Sequence, residues 1–177
     1  MKKNIEAFDY AGHICKAMRK GILLTTQHEG KVNTMTIGWG KIGIEWNRPV
    51  FIAYVRETRY TKKMLEASGE FTINVPYGEF DSNILGYCGR KSGRDTDKIM
   101  ELGLTLVDSD CVSAPGIKEF PLTLECKVIY KQKQDLGALP AEVIDRFYPV
   151  AGEGDFRDYH IAYYGEIVNA YMIEQNV

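Results

Sequence analysis

The sequence predicts a mainly β protein: an antiparallel β-barrel with short helices inserted between its strands. Three observations carry that prediction. Six to eight short segments rich in β-branched and aromatic residues are separated by turns marked with Gly or Pro. The helical segments do not alternate regularly with the strands, which disfavours a doubly wound parallel sheet. Residues 122–131, LTLECKVIYK, alternate apolar and polar positions, as a strand does when one face is buried and the other solvated.

Each element follows from local chemistry. Asp9 is placed to cap a helix over 10–20, where Tyr10, Ile14, Ala17 and Met18 share a face and Gly21 stops it. ILLTT at 22–26 is a strand, residues 28–31 form a hairpin turn, and VNTMTIGWG at 32–40 is the returning strand. Pro49 introduces FIAYV at 51–55, whose unbroken apolar run predicts a buried strand. Residues 58–69 open as a loop and become a helix ended by Gly69, and FTINV at 71–75 is a strand closed by Pro76. A helix over 79–88 ends at Gly89, and the polar stretch GRKSGRDTDK (89–98) runs into a short helix ending near Gly103. In the strand at 122–131, Leu122, Leu124, Cys126, Val128 and Tyr130 share the core face, with Thr123, Glu125, Lys127 and Lys131 on the solvent face. Pro140 opens a helix to Phe147, and residues 160–173 close the chain as a strand or strand pair bent at Gly165. The whole span, 1–177, reads as one domain without repeat or linker.

Composition removes several function classes. The balance of 22 Lys and Arg against 24 Asp and Glu supplies no net basic face, so a nonspecific nucleic-acid binder is not expected. Every apolar run is far shorter than the about 20 residues that span a bilayer, so no membrane partner is expected. MKKNIEAFDY lacks the apolar core of a secretory signal. Cys15, Cys88, Cys111 and Cys126 form no Cys-x-x-Cys pair and have no His at zinc spacing. Reduced thiols, no metal and a cytoplasmic location are the expectation. No Gly-x-Gly-x-x-Gly follows a strand and no P-loop occurs, so the nucleotide motifs built on them are unsupported.

Four segments carry chemistry. On a regular strand Asn33, Met35, Ile37 and Trp39 share one face, offering an amide and a flat apolar wall, with Thr36 on the other. An ordinary strand with a core Trp is the alternative. Thr58-Arg59-Tyr60-Thr61 places hydroxyls and a guanidinium where a helix begins, which suits an anion; a plain capping sequence is the alternative. In 89–98, Ser92, Gly93 and the cations Arg90, Lys91 and Arg94 precede a helix containing Lys98. That is the make-up of a phosphate nest or of a solvated charged loop. His160 could orient or protonate a ligand, or be structural, and Cys88 is either a reactive thiol or a small buried hydrophobe.

The ordered set resembles the flavin reductase-like, FMN-binding split-barrel family, most closely its flavoredoxin-type branch. The matching motifs are Asn33-x-Met35-Thr36 with Trp39, Pro49, Arg59-Tyr60-Thr61 and GEFTINVP at 69–76. Cys88-Gly89-x-x-Ser92-Gly93-Arg94-Asp95-x-Asp97-Lys98 and His160-x4-Gly165-Glu166-Ile167 complete the set. The resemblance implies a Greek-key split barrel, a homodimer, and FMN bound noncovalently near the subunit interface. It implies hydride transfer from NADH or NADPH to flavin and on to an acceptor. By position, Asn33, Met35, Thr36 and Trp39 would line the isoalloxazine and ribityl chain. Thr58, Arg59 and Thr61 would hold the phosphate, Ser92, Gly93 and Lys98 would close the site, and His160 would stand by the flavin or nicotinamide. Gly38 and Gly40 depart from the hydroxyl residues the branch often carries around this Trp, so backbone N–H groups would take over those bonds. Two other readings compete: an electron-transfer flavoprotein without nicotinamide activity, and a split barrel that binds haem or serves as a structural partner.

Overall fold

The computed structural model describes residues 1–151 and 154–174. Its strands are β1 (Lys2–Asn4), β2 (Ile22–His28), β3 (Lys31–Ile37), β4 (Gly40–Glu45), β5 (Arg48–Arg56), β6 (Glu70–Val75), β7 (Leu106–Val107), β8 (Gly116–Ile117), β9 (Leu122–Lys133) and β10 (His160–Ile173). The helices are α1 (Ala11–Met18), α2 (Tyr60–Ser68), α3 (Ser82–Arg90), α4 (Lys98–Leu102) and α5 (Ala141–Phe147). The main sheet is antiparallel in the order β3-β2-β6-β9-β10-β5-β4, and β1 adds to the far end of β10 through Lys2 to Asn4. The small pair β7–β8 stands apart.

One feature of connectivity shapes this sheet. β3 and β4 lie at its opposite ends, yet only Gly38 and Trp39 separate them in the chain. The three Cα–Cα steps from Ile37 to Gly40 span at most about 11 Å, so the sheet must curl until its ends meet. The result is a barrel with a seam between β3 and β4. VNTMTIGWG was expected as one strand; it is broken here, so that Trp39 belongs to the link and not to a strand face. Two-residue hairpins flank the seam, one at Glu29 and Gly30 (φ 49° and 75°) and one at Trp46 and Asn47 (φ 49° and 59°). Both carry the left-handed backbone that matches strand twist.

The barrel interior is apolar. Leu24 from β2, Phe51 from β5, Phe71 and Ile73 from β6, and Leu124 and Cys126 from β9 are each fully buried. A second cluster forms where α3 covers the outer face of β2: Leu23 packs with Ile84, Leu85, Cys88 and Phe120. This second layer corrects one expectation. Thr123 and Glu125 are fully buried instead of solvated. The chain between β7 and β9 folds over that face of β9. Glu125 accepts hydrogen bonds from the Asp110 N–H (2.9 Å), the Cys111 N–H and Asn169 Nδ2 (3.1 Å) there. The first half of β9, residues 122–126, is thus buried on both faces because its carboxylate is given enough donors, whereas Lys127, Lys131 and Tyr130, the last expected on the core face, are exposed.

Two boundaries also differ. Asp9 lies in a 3-10 turn (Ala7–Tyr10) capped by Glu6, and α1 starts only at Ala11. Residues 160–173 form one strand, kinked by register shifts at Tyr164/Gly165 and Ile167/Asn169. Gly165 lets Phe71 lie across the strand: a Cβ there would sit 2.4 Å from Phe71 Cζ and 2.8 Å from Cys126 Cβ. Gly165→Ala is therefore expected to lower stability by about 1–3 kcal/mol. Gly12→Ala, in exposed α1 with nothing within 4 Å of its Cβ, should raise it by up to about 1 kcal/mol. Thermal melts check both, and equal melting temperatures for the two variants would contradict this packing.

Candidate functional site

Three recesses run in a chain along the seam. A polar recess of about 110 Å³ opens into a cleft of about 190 Å³, the two sharing Met35 and Arg59. The cleft meets an apolar pocket of about 510 Å³ through Gly38, Trp39 and Tyr54.

The polar recess is built where α2 begins. Arg59 is the N-cap of α2 in an extended conformation, and its guanidinium donates to the Gly89 carbonyl (3.2 Å). The loop at 91–94 is pinned opposite: Lys31 donates to the Gly93 carbonyl (2.8 Å) and Arg94 to the Thr58 carbonyl (3.1 Å). The Ser92 hydroxyl oxygen accepts the Arg94 N–H (3.2 Å), which leaves its own proton available to a guest. Gly93 is buried so tightly that a Cβ would lie 2.1 Å from Asn33 Oδ1. Asn33 donates through Nδ2 to Thr61 Oγ1 (2.9 Å), while its buried Oδ1 has no partner. Thr58 faces the other way, its hydroxyl and N–H both donating to Asp158 (2.7 and 3.1 Å).

Charge in the recess is one-sided. Arg59, Lys91, Arg94 and Lys98 line it, and among the described residues no carboxylate does. Lys98, first residue of α4 after the Asp97 cap, is only 4% exposed. Its Nζ donates to the Lys91 carbonyl (3.3 Å), and it forms no ion pair among the described residues. Burial pushes its pKa down to about 8; nearby Cys88 opposes the shift and Arg59 adds to it. Burial also pushes the Cys88 thiol up to about 11, so Cys88 is a neutral packing residue and not a thiolate nucleophile.

The cleft is open to the edge of β3. Five consecutive residues, Met35 to Trp39, line it. Since neighbours on a strand point to opposite faces, a guest there meets the backbone edge-on. β3 is an end strand, so among the described residues its outward N–H and C=O groups have no ladder partners. The Thr36 hydroxyl is already spent on the Leu85 carbonyl (2.7 Å), which ties β3 to α3.

His160 and Arg56 form the opposite wall. β10 and β5 pair His160 directly with Arg56. Arg56 donates to the carbonyls of Asp158 (2.6 Å) and Phe147 (3.0 Å) and pairs with no carboxylate among the described residues. The His160 ring packs 5.0 Å from Trp39, and its Nδ1 lies 2.9 Å from the Tyr148 hydroxyl. Tyr148 is buried and its hydroxyl has no other acceptor among the described residues, so the assignment that satisfies both has its O–H donating to Nδ1 and the imidazole proton on Nε2. Burial lowers the His160 pKa to about 4; Arg56 adds to this and Asp158 opposes it. The ring is neutral at pH 7, which suits a hydrogen-bond donor rather than a proton source.

The structure therefore brings all the sequence-predicted residues to one seam. Asn33, Arg59, Thr61, Ser92, Gly93 and Lys98 line the polar recess, and Met35, Thr36, Trp39, Arg59 and His160 line the cleft; Thr58 borders the recess, but its hydroxyl and N–H are committed to Asp158 instead of a guest. Asn33 stands at the polar end, away from Trp39. Arg56, Tyr54 and Tyr148 escaped sequence reasoning. Arg56 sits one residue beyond the apolar run FIAYV, and its only signal is the outward series Ile52, Tyr54, Arg56 along β5.

Known proteins share this architecture. A family model described as "Flavin reductase like domain" matches residues 18–177. A curated relative, an uncharacterized protein of Archaeoglobus fulgidus, is 33% identical over 99 residues, which are 56% of this chain and 55% of that protein. The chain thus spans little more than half of that relative's length. The structure of flavoredoxin of Desulfovibrio vulgaris (Miyazaki F) superposes with TM-score 0.66 at 26% identity, covering 87% of this chain and 69% of that one. Flavoredoxin from Methanosarcina acetivorans gives TM-score 0.64 at 27% identity, with 89% and 70% covered. The seam is that of a split barrel, and the chain belongs to the flavin reductase-like family, with its likeness on the flavoredoxin side of that family.

Proposed function

We propose that the chain binds FMN along this seam and acts as an oxidoreductase that takes hydride from NADH or NADPH and delivers electrons to a further acceptor. One observation carries the reading: a recess lined by cations with no carboxylate among the described residues, joined to a cleft that exposes a strand edge beside Trp39 and His160. The phosphate suits the recess, where Arg59, Lys98, the Ser92 hydroxyl and the Thr61 end of α2 can bond it. Gly93 keeps the backbone close to such a guest. The unpartnered Asn33 Oδ1 suits a ribityl hydroxyl.

The tricycle suits the cleft. Backbone groups between Met35 and Trp39 can meet its polar edge, where Gly38 and Gly40 offer no side-chain hydroxyl. Bound FMN supplies the two-electron chemistry, and the protein supplies orientation and electrostatics. Arg56 and Arg59 hold positive charge beside the cleft, which stabilises an anionic guest. Neutral His160 donates a hydrogen bond from Nε2 and positions the guest against Trp39. A second reading, an electron carrier without nicotinamide activity, is favoured by the likeness to two flavoredoxins.

Arg59→Ala should weaken FMN binding by about 1.5–3 kcal/mol, the worth of a hydrogen bond to a charged group. Flavin fluorescence quenching measures it, and an unchanged affinity would refute the phosphate role. Binding should also weaken as pH rises above about 8, the pKa of Lys98 in the free protein. A bound phosphate raises that pKa, so below it Lys98 is already charged and above it binding must take up a proton. Lys98→Met should bind more weakly and lose this slope between pH 8 and 10; a wild-type slope in the variant would contradict the assignment. Anaerobic mixing of the FMN-loaded protein with NADH and with NADPH separates the two functional readings. Bleaching of flavin absorbance by either donor is the expected result, and no bleaching by both leaves the carrier.

A further inference from the structure

The apolar pocket at the outer end of the seam shares Gly38, Trp39 and Gly40 with the flavin site described above but extends past them to Cys15, Arg19 and Phe147, which that site does not use. It is the roomiest of the three recesses, about 510 Å³, and it touches the cleft through Trp39 and Tyr54. Its apolar wall is aromatic: Trp39 and Phe147 meet edge to face, with centroids 5.1 Å apart and planes at 84°. Trp39 is 42% exposed, an unusual state for a large aromatic side chain and one that leaves its surface available to a flat guest.

The polar groups of this pocket are biased toward donors. Arg19, at the C-terminus of α1, is its one charged lining residue and pairs with no carboxylate among the described residues. Gln134 spends its Oε1 accepting the His160 N–H (3.2 Å), so its NH₂ is the end still able to donate. The Tyr148 hydroxyl is committed to His160. A cation and an amide donor beside an aromatic wall select an acceptor-bearing, negatively charged, planar guest.

We propose that this pocket is a substrate subsite for small planar aromatic carboxylates, with the ring against Trp39 and Phe147 and the carboxylate at Arg19. Its place beside the reacting cofactor rests on the flavin reading; its ligand class does not. A guest seated there would lie against the cleft assigned to the isoalloxazine, and Val143 of α5 would close its outer side.

The test uses the full chain, with and without FMN, and reads binding by calorimetry. The probe is 2-naphthoate, and the control of equal shape and opposite charge is 2-naphthylmethylammonium. Naphthoate should bind saturably and the ammonium at least about tenfold more weakly, the worth of one charge-assisted hydrogen bond. Arg19→Met, an exposed change that should not disturb folding, should erase that preference. Val143→Trp should fill the pocket and block naphthoate while leaving FMN affinity within about twofold. Equal binding of the two probes, or an Arg19→Met variant that keeps the preference, would overturn the proposal. Naphthoate binding by protein that fails to hold FMN would uphold the pocket and remove the flavin reading, so the two failures are distinct.

Discussion

A buried lysine ammonium with no counter-ion among the described residues is the constraint on which the site depends. Moving such a charge out of water is costly unless partners replace the solvent. Lys98 has a carbonyl for a partner, and Arg59 lies close enough to oppose its charge. The surrounding chain keeps this arrangement in place. Asp97 caps α4 and fixes Lys98 at its first position, Lys31 clamps the Gly93 carbonyl, and Gly93 closes over Asn33. An anion in the recess relieves the repulsion and completes the hydrogen bonds. Any such anion stabilises the fold by mass action.

Connectivity supplies the rest of the site. Because Gly38 and Trp39 alone join the two end strands, the barrel must close at that point and cannot zip completely. The seam left behind has a bare strand edge on one side and the start of β10 on the other. His160 is buried there by Trp39 and Tyr148, and burial beside Arg56 is what keeps its ring neutral. Fold and chemistry are thus linked through one short connection. The same two residues shape the barrel, line the cleft and open the apolar pocket.

Much of this was legible in the sequence, for physical reasons that differ by residue. Glycine stops, the 28–31 hairpin and the unbroken FIAYV run are local signals, and they place β2, β5 and α2 within a few residues. The polar recess was legible because its parts are contiguous: Thr58 to Thr61 and Ser92 to Lys98 each bring donors and charge in one stretch. What was hidden is what depends on distant contacts. Glu125 reads as a solvent-facing residue until the 108–117 segment covers it. The break at Gly38 is invisible because VNTMTIGWG satisfies strand periodicity on both sides of it. Arg56 and Tyr148 become site residues only when β5 pairs with β10 and α5 folds over them.

The claim at the centre of this account is that the cationic recess grips the phosphate end of a flavin. Comparing the affinities of the purified protein for FMN and for riboflavin, which lacks only that phosphate, tests it most directly. The account predicts that FMN binds at least about 100-fold more tightly, since two or more charge-assisted hydrogen bonds are at stake. Equal affinity for the two flavins would contradict it.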